Sequence, residues 1–173
     1  MRSTQVKILV IVSIGFAVIA SNKSALAGTW TTIDKPGASY IGTYAIEGSN
    51  IIGSYGDASG DHGFRYNTAT QSWTTIDKPG QSWIDIYDIQ GSNLVGGYGD
   101  ASGDHGFLYN ETIGWATIDK SGATGTYIHG IEGRYLVGGY IGGSFVHGFI
   151  YNNITGNWNN TTENWTTLDM IGA

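Results

Sequence analysis

One octapeptide, Trp30-Thr31-Thr32-Ile33-Asp34-Lys35-Pro36-Gly37, recurs along the chain. It returns as Trp73 to Gly80, as Trp115 to Gly122 with Ala116 and Ser121 substituted, and as Trp165 to Asp169 with Leu168 for Ile. The spacings are 43, 42 and 50 residues, and residues 30–67 match residues 73–110 at 28 of 38 positions without a gap. A chain made of copies of a short segment folds as copies of one supersecondary unit, none of which buries its apolar face alone. The expected units are about 30–72, 73–114 and 115–164, with a fourth begun at 165–173.

Each unit reads as strand, turn, strand, turn, strand, turn, strand. In the first unit Tyr44–Glu47 precedes the turn Gly48-Ser49-Asn50, and Ile51–Tyr55 precedes the loop Gly56–Asp61. His62–Tyr66 follows, and the loop Asn67–Gln71 leads into Trp73–Asp77. Branched and aromatic residues fill the strands, while Gly, Asn, Asp and Ser fill the turns, where positive φ or local side-chain hydrogen bonds are needed. Phe64 and Tyr66 share one face of their strand and Arg65 takes the other. With 28 Gly, 11 Tyr and 6 Trp in 173 residues and no sustained 3.6-residue period, the fold class is all-β.

Ile51-Ile52-Gly53-Ser54-Tyr55, followed by His62-Gly63-Phe64-Arg65-Tyr66 and Trp73-Thr74-Thr75-Ile76-Asp77, resembles the bacterial extracellular HAF repeats. In that family a hydrophobic-hydrophobic-Gly strand precedes a His-small-Phe strand. Leu94-Val95-Gly96 with His105-Gly106-Phe107, and Leu136-Val137-Gly138 with His147-Gly148-Phe149, carry the same pattern. Gly63, Gly106 and Gly148 stand where the name-giving motif has Ala. The Gly-Gly, Tyr and Trp spacing is also loosely similar to kelch repeats. The resemblance covers residues 30–169 and implies an extracellular, propeller-like array without implying a particular chemistry. Three units are fewer than the four to eight blades of closed propellers. A β-trefoil or β-prism, each built from three four-stranded units, is the alternative. Trp30–Asp34 is left as a thirteenth strand, and a free edge invites pairing with another chain. Homo-oligomerisation through Trp30–Asp34 is therefore expected.

Residues 1–27 read as a signal peptide. Arg2 and Lys7 form the basic start, Ile8–Ala20 the apolar run, and Ala25-Leu26-Ala27 the small-x-small site. A bilayer needs about 20 apolar residues, so this run is short for a span. Cleavage leaves residues 28–173 as a single repeat domain with five basic and 14 acidic residues, a net charge of −9. Such a charge argues against nucleic acid and against anionic membrane surfaces. The absence of Cys removes disulfides and thiolate metal sites. The expected location is secreted, periplasmic or extracellular, with no stable membrane insertion after cleavage.

Candidate chemistry lies in the repeated positions. His62, His105 and His147 are threefold and read as strand residues packed beside Phe and bonded to a turn, with metal ligation near an axis as the alternative. His129 replaces Tyr44 and Tyr87 of the other units. Asp57 and Asp61, like Asp100 and Asp104, set two carboxylates four residues apart around a Gly-containing turn. Calcium favours such oxygens, but Ile141–Val146 of the third unit has no acid, and the plainer reading is an Asx-type turn. The expectation is no cofactor, with calcium the one alternative. Ser59–Gly63 and Ser102–Gly106 also look like partial Asp-boxes, the hairpin motif of sialidase-type propellers. Tyr40 and Trp83 occupy equivalent positions in connectors, where a ring beside Asp and Asn suits a sugar; plugging a gap between sheets is the other reading. Trp158, in the long loop 152–164, is a further candidate contact. The Trp73 and Trp115 series is expected as inter-sheet core.

No G-x-S-x-G elbow or H-E-x-x-H helix is present. Near-identical repeats supply like groups at several places, whereas catalysis needs unlike groups at one, so repetition favours multivalent binding. The expected function is an exported binding module for a glycan or protein partner. The alternatives are a structural or matrix repeat without ligand, and a small propeller-type glycosidase or lyase.

Overall fold

Alternating apolar residues and short polar turns produce twelve strands in the computed structural model, which describes residues 29–153, 156, 158 and 164–169. In order these are β1 (Tyr40–Glu47), β2 (Asn50–Asp57), β3 (Gly60–Asn67), β4 (Ser72–Ile76), β5 (Trp83–Gln90) and β6 (Asn93–Asp100). They continue with β7 (Gly103–Asn110), β8 (Gly114–Thr117), β9 (Gly125–Glu132), β10 (Tyr135–Gly142), β11 (Phe145–Asn152) and β12 (Trp165–Leu168). No described residue is helical. The protein is all-β, and its two sheets, of four and eight strands, stay open.

The four-stranded sheet is the meander β1-β2-β3-β4. The eight-stranded sheet is two such meanders, β5 to β8 and β9 to β12, joined by one parallel bridge from Asp104 to Gly125. The first strand of each later unit packs across the unit before it: β5 touches β1, β2 and β3, and β9 touches β5, β6 and β7. Two core clusters result. Ile52 and Ile76 of the first unit meet Ile84, Ile86, Ile89 and Phe107 of the second. Val95, Leu108 and Ile118 of the second meet Ile128, Ile131, Leu136 and Phe149 of the third. The repeated indoles are half-buried against rings of their own units, short of the inter-sheet core expected of the Trp73 and Trp115 series: Trp115 lies 5.0 Å from Phe107 and 4.5 Å from Tyr109, and Trp165 lies against Phe149 and Tyr151.

The Gly of each hydrophobic-hydrophobic-Gly strand has a steric reason. A Cβ at Gly53, Gly96 or Gly138 would fall inside the backbone carbonyl of Gly42, Asp85 or Tyr127 on the neighbouring strand. That close approach accompanies a β-bulge in β1, β5 and β9, with the extra residue being Tyr44, Tyr87 or His129. The bulge turns these rings toward one another. Tyr44 and Tyr87 are 5.2 Å apart, and Tyr87 and His129 are 4.9 Å apart, so equivalent residues of successive units form a short aromatic column.

Two expectations are corrected. The loop Gly56–Asp61 is a tight turn at Ala58-Ser59, as is Ala101-Ser102 between Asp100 and Asp104, and all four aspartates sit on strands. Trp30–Asp34 is not a strand. Its counterparts β4, β8 and β12 each pair with the third strand of their own unit, and none of the described residues before Trp30 supplies one. Ile33–Ala173 forms one compact unit; within the other, Met1–Thr32, only residues 29–32 are described. The expected signal peptide lies outside the described residues.

Candidate functional site

The repeated His series occupies the start of each third strand and stacks on a Tyr of the second strand. Centroid separations are 4.9 Å for Tyr55–His62 and 5.0 Å for both Tyr98–His105 and Tyr140–His147. In the first unit His62 Nδ1 is 2.8 Å from Asp77 Oδ2, and Nε2 is 2.9 Å from Ser59 Oγ and 3.3 Å from Asp57 Oδ1. The second unit repeats this with Asp119 at 2.7 Å, Ser102 at 2.9 Å and Asp100 at 3.3 Å. His147 keeps only the Asp169 partner among the bonds seen in the third unit. The His residues thus pack on Tyr, where Phe was expected, and His62 and His105 also bond to the turn of their own unit.

A Ser-His-Asp arrangement invites comparison with a nucleophile and its base, and the hydrogen-bond partners decide it. Burial lowers the His62 and His105 pKa values, but hydrogen bonds and charge from Asp77 with Asp57, and from Asp119 with Asp100, outweigh it and raise both above 6.5. The shift favours the protonated ring, in which both N–H groups donate to carboxylates or to the serine. The Ser59 hydroxyl donates to Asp57 Oδ1 at 2.5 Å, and Ser102 to Asp100 Oδ1 at 2.6 Å. A general base needs a free ring lone pair facing the hydroxyl proton. Here each serine is also bonded to the aspartate of its own turn and each His to the aspartate of the connector, so each arrangement ties turn, third strand and connector together as a clamp. The Ser102 hydroxyl and N–H, followed by His105, hold Asp100 down to about 2, and the same contacts from Ser59 and His62 lower Asp57.

The Ser59 N–H and Ser102 N–H donate to Asp57 and Asp100 at 2.7 Å, the Asx-type turns of the plainer reading, and the paired carboxylates serve different partners. Asp57 belongs to the clamp, whereas Asp61 Oδ1 accepts the Tyr40 hydroxyl at 2.8 Å. Likewise Asp100 is in the clamp, and Asp104 accepts Trp83 Nε1–H at 3.2 Å and the Tyr127 hydroxyl at 2.6 Å. Burial, then Asp61, pushes Tyr40 up to about 12; burial, then Asp104, does the same to Tyr127. Among the described residues no three His, Asp or Glu side chains gather as a metal-holding group.

Tyr40 and Trp83 open their strands and do not stand in loops. Each ring lies over a glycine of the second strand: a Cβ at Gly56 would strike Tyr40, and one at Gly99 would strike Trp83. Tyr127 stacks on Trp83 with centroids 6.2 Å apart, covering more of the indole. Tyr40 keeps 48% of its surface exposed and presents a freer ring. Trp158 packs half-buried against the second core cluster, away from both.

The third unit breaks the pattern, and there a cavity opens. Between the second and third units a polar space of about 340 Å³ is lined by Ser102, Asp104, His105, Asp119, Thr124 and Thr126, among others. At the corresponding place between the first two units Gln81 fills the gap. Its Nε2 donates to Asp61 O at 3.0 Å and lies 3.4 Å from Asp77 Oδ1, and its Oε1 accepts the Lys78 N–H. The third unit has Ala123 in place of Gln81 and Gly125 in place of Trp83. Thr126, in place of Ile84, takes over the backbone bond: its Oγ1 accepts the Lys120 N–H at 3.1 Å. The space is thus left by three coordinated substitutions that keep the backbone satisfied. Of this lining, sequence reasoning singles out Asp104 and His105, has Ser102 only within a partial Asp-box, and misses Asp119 and Thr126. The signal lay in how the third repeat departs from the other two.

Compared with protein-family models, with curated proteins and with solved structures, the chain matches none.

Proposed function

We propose that this protein is an exported binding module that takes a glycan in the polar cavity between its second and third units. One observation carries the reading: Ala123 stands where Gln81 bridges Lys78, Asp77 and Asp61 at the first junction, Gly125 lines the space without a side chain, and Thr126 preserves the backbone bond. Its volume is at the lower end of ligand pockets, about 300–1,000 Å³. The lining offers carboxylate acceptors at Asp104 and Asp119 and hydroxyls at Ser102, Thr124 and Thr126, the groups that pair with sugar hydroxyls. Trp83 and Tyr127 hold Asp104 in place, so that this acceptor is pre-oriented. Asp100, Asp104 and Asp119 against one imidazolium leave the region negative, which favours neutral or amino-bearing sugars over uronates. The propeller-like stacking of three units supplies the wall on each side, and the HAF-like pattern accords with an extracellular role.

A glycan array identifies the sugar class, and calorimetry on the best hit measures its affinity. The variant Ala123→Gln restores the plug of the first junction and should abolish binding while leaving the melting temperature within a few degrees. Binding that survives Ala123→Gln unchanged refutes the cavity as the site.

A further inference from the structure

We infer that the two ends of the stacked units are matching halves of one interface, and that a second copy of this chain docks head to tail across them. The reasoning compares equivalent positions. Ile89 and Ile131, on the strands that open the second and third units, are each only 6% exposed because the preceding unit covers them. Their counterpart in the first unit, Ile46, is 66% exposed, and Tyr44 beside it is 48% exposed. On the opposite face, Ile52 and Val95 are fully buried by the unit that follows, while their counterpart Val137 is 43% exposed. Ile76 and Ile118 are buried in the same way, and Leu168 is 53% exposed. The stack of described units therefore presents one face shaped to receive a unit and another shaped to be received.

The polar contacts of the internal junctions repeat in register and leave unused partners at the ends. The Gly91 N–H of the second unit donates to Glu47 Oε2 of the first at 2.7 Å. The Gly133 N–H of the third donates to Gln90 Oε1 of the second at 2.8 Å. By the same register, the Glu132 carboxylate of one copy would accept the Gly48 N–H of the next. Both are exposed. Each end also bears a shallow apolar cleft: about 240 Å³ lined by Tyr44, Ala45, Ile46 and Ile51, and about 220 Å³ lined by Ile131, Tyr135 and Val137. Thr43 replaces the buried Ile86 and Ile128 of the other units, so the first end is less apolar than an internal face, without being a polar cap.

A contact between two unlike faces is heterologous, and it either closes into a ring or continues as a filament. Two copies contribute six units, within the four to eight that closed propellers use. The proposal differs from pairing through Trp30–Asp34, since it joins faces and not strand edges.

The test uses the purified protein and two blocked variants, Ile46→Arg and Val137→Arg, with Leu168→Arg as a second block of the same end. Light scattering after size exclusion, from about 1 to several hundred micromolar, should give twice the chain mass or more for wild type and a single chain mass for each variant. Mixing Ile46→Arg with Val137→Arg should restore a dimer, because one intact face of each kind remains. A wild type that is monomeric throughout overturns the proposal. Association of wild type that is lost in one variant only, or that mixing fails to restore, also overturns it by pointing to like-on-like contact. None of these outcomes depends on glycan binding.

Discussion

Ile89 and Ile46 occupy the same position in adjacent repeats, with the same turn beside them, and differ in what covers them. Ile89 is 6% exposed in the first junction and Ile46 is 66% exposed at the free end. Replacing Ile89 by Ala removes three buried carbons, worth about 2.4 kcal/mol at ~0.8 kcal/mol each. The unfilled space adds to this, giving about 3–4 kcal/mol, inside the ~2–5 kcal/mol range for such truncations. Ile46→Ala, scaled by the third of its surface that is covered, should cost under about 1 kcal/mol. For a domain of this size each kcal/mol lowers the melting temperature by roughly 2–4 °C, so Ile89→Ala should melt ~10 °C lower and Ile46→Ala within ~3 °C of wild type. Urea unfolding followed by tryptophan emission gives the same comparison as a free energy. The protein should be kept below micromolar concentration, so that copies do not cover Ile46. Equal losses at both positions would refute the claim that burial between stacked units is where stability resides.

The clamps make stability pH-dependent. His62 and His105 have raised pKa values, so their contribution is complete below 6.5 and is lost as pH rises through the folded-state values. Asp57 and Asp100 have lowered values, so theirs is complete above 3.8 and is lost as pH falls. The melting temperature should therefore peak between about pH 4 and 6.5 and fall toward pH 8; a curve that rises from pH 6 to 8 contradicts this. Replacing Asp104 by Asn removes the secondary cause of the Tyr127 shift while leaving burial, the larger one, in place. Ultraviolet titration should then show one tyrosine ionising at lower pH than in wild type, and an unmoved titration curve would remove Asp104 from the account. Since Asp57 and Asp61 serve different partners, millimolar calcium should leave the melting temperature where it was, and a rise of several degrees would count against that geometry.

How much could be read beforehand follows from the range of each interaction. Strand positions and turns depend on neighbours within one repeat, and local alternation exposes them: β2 lies where Ile51–Tyr55 pointed. Trp115, expected between sheets, packs on Tyr109 of its own unit. The clamps depend on side chains 14 or 15 residues apart, His62 with Asp77 and His105 with Asp119, which meet only when β3 and the connector after β4, or β7 and the one after β8, are brought together. The Asp57–Asp61 spacing suggested a shared task, but residues four apart across a tight turn bonded to separate partners. Trp83 was placed in a connector because nothing local shows that β5 begins with it, over Gly99.

By itself the sequence determined the repeat, the all-β class and the faces of each strand, because a period of two and a period near 42 are properties of the chain alone. Tertiary structure decided which copies are covered and which are bare, since burial belongs to a residue's neighbours and identical segments receive different ones. That difference separates Ile89 from Ile46, and it turned the substitutions at Ala123, Gly125 and Thr126 into a cavity.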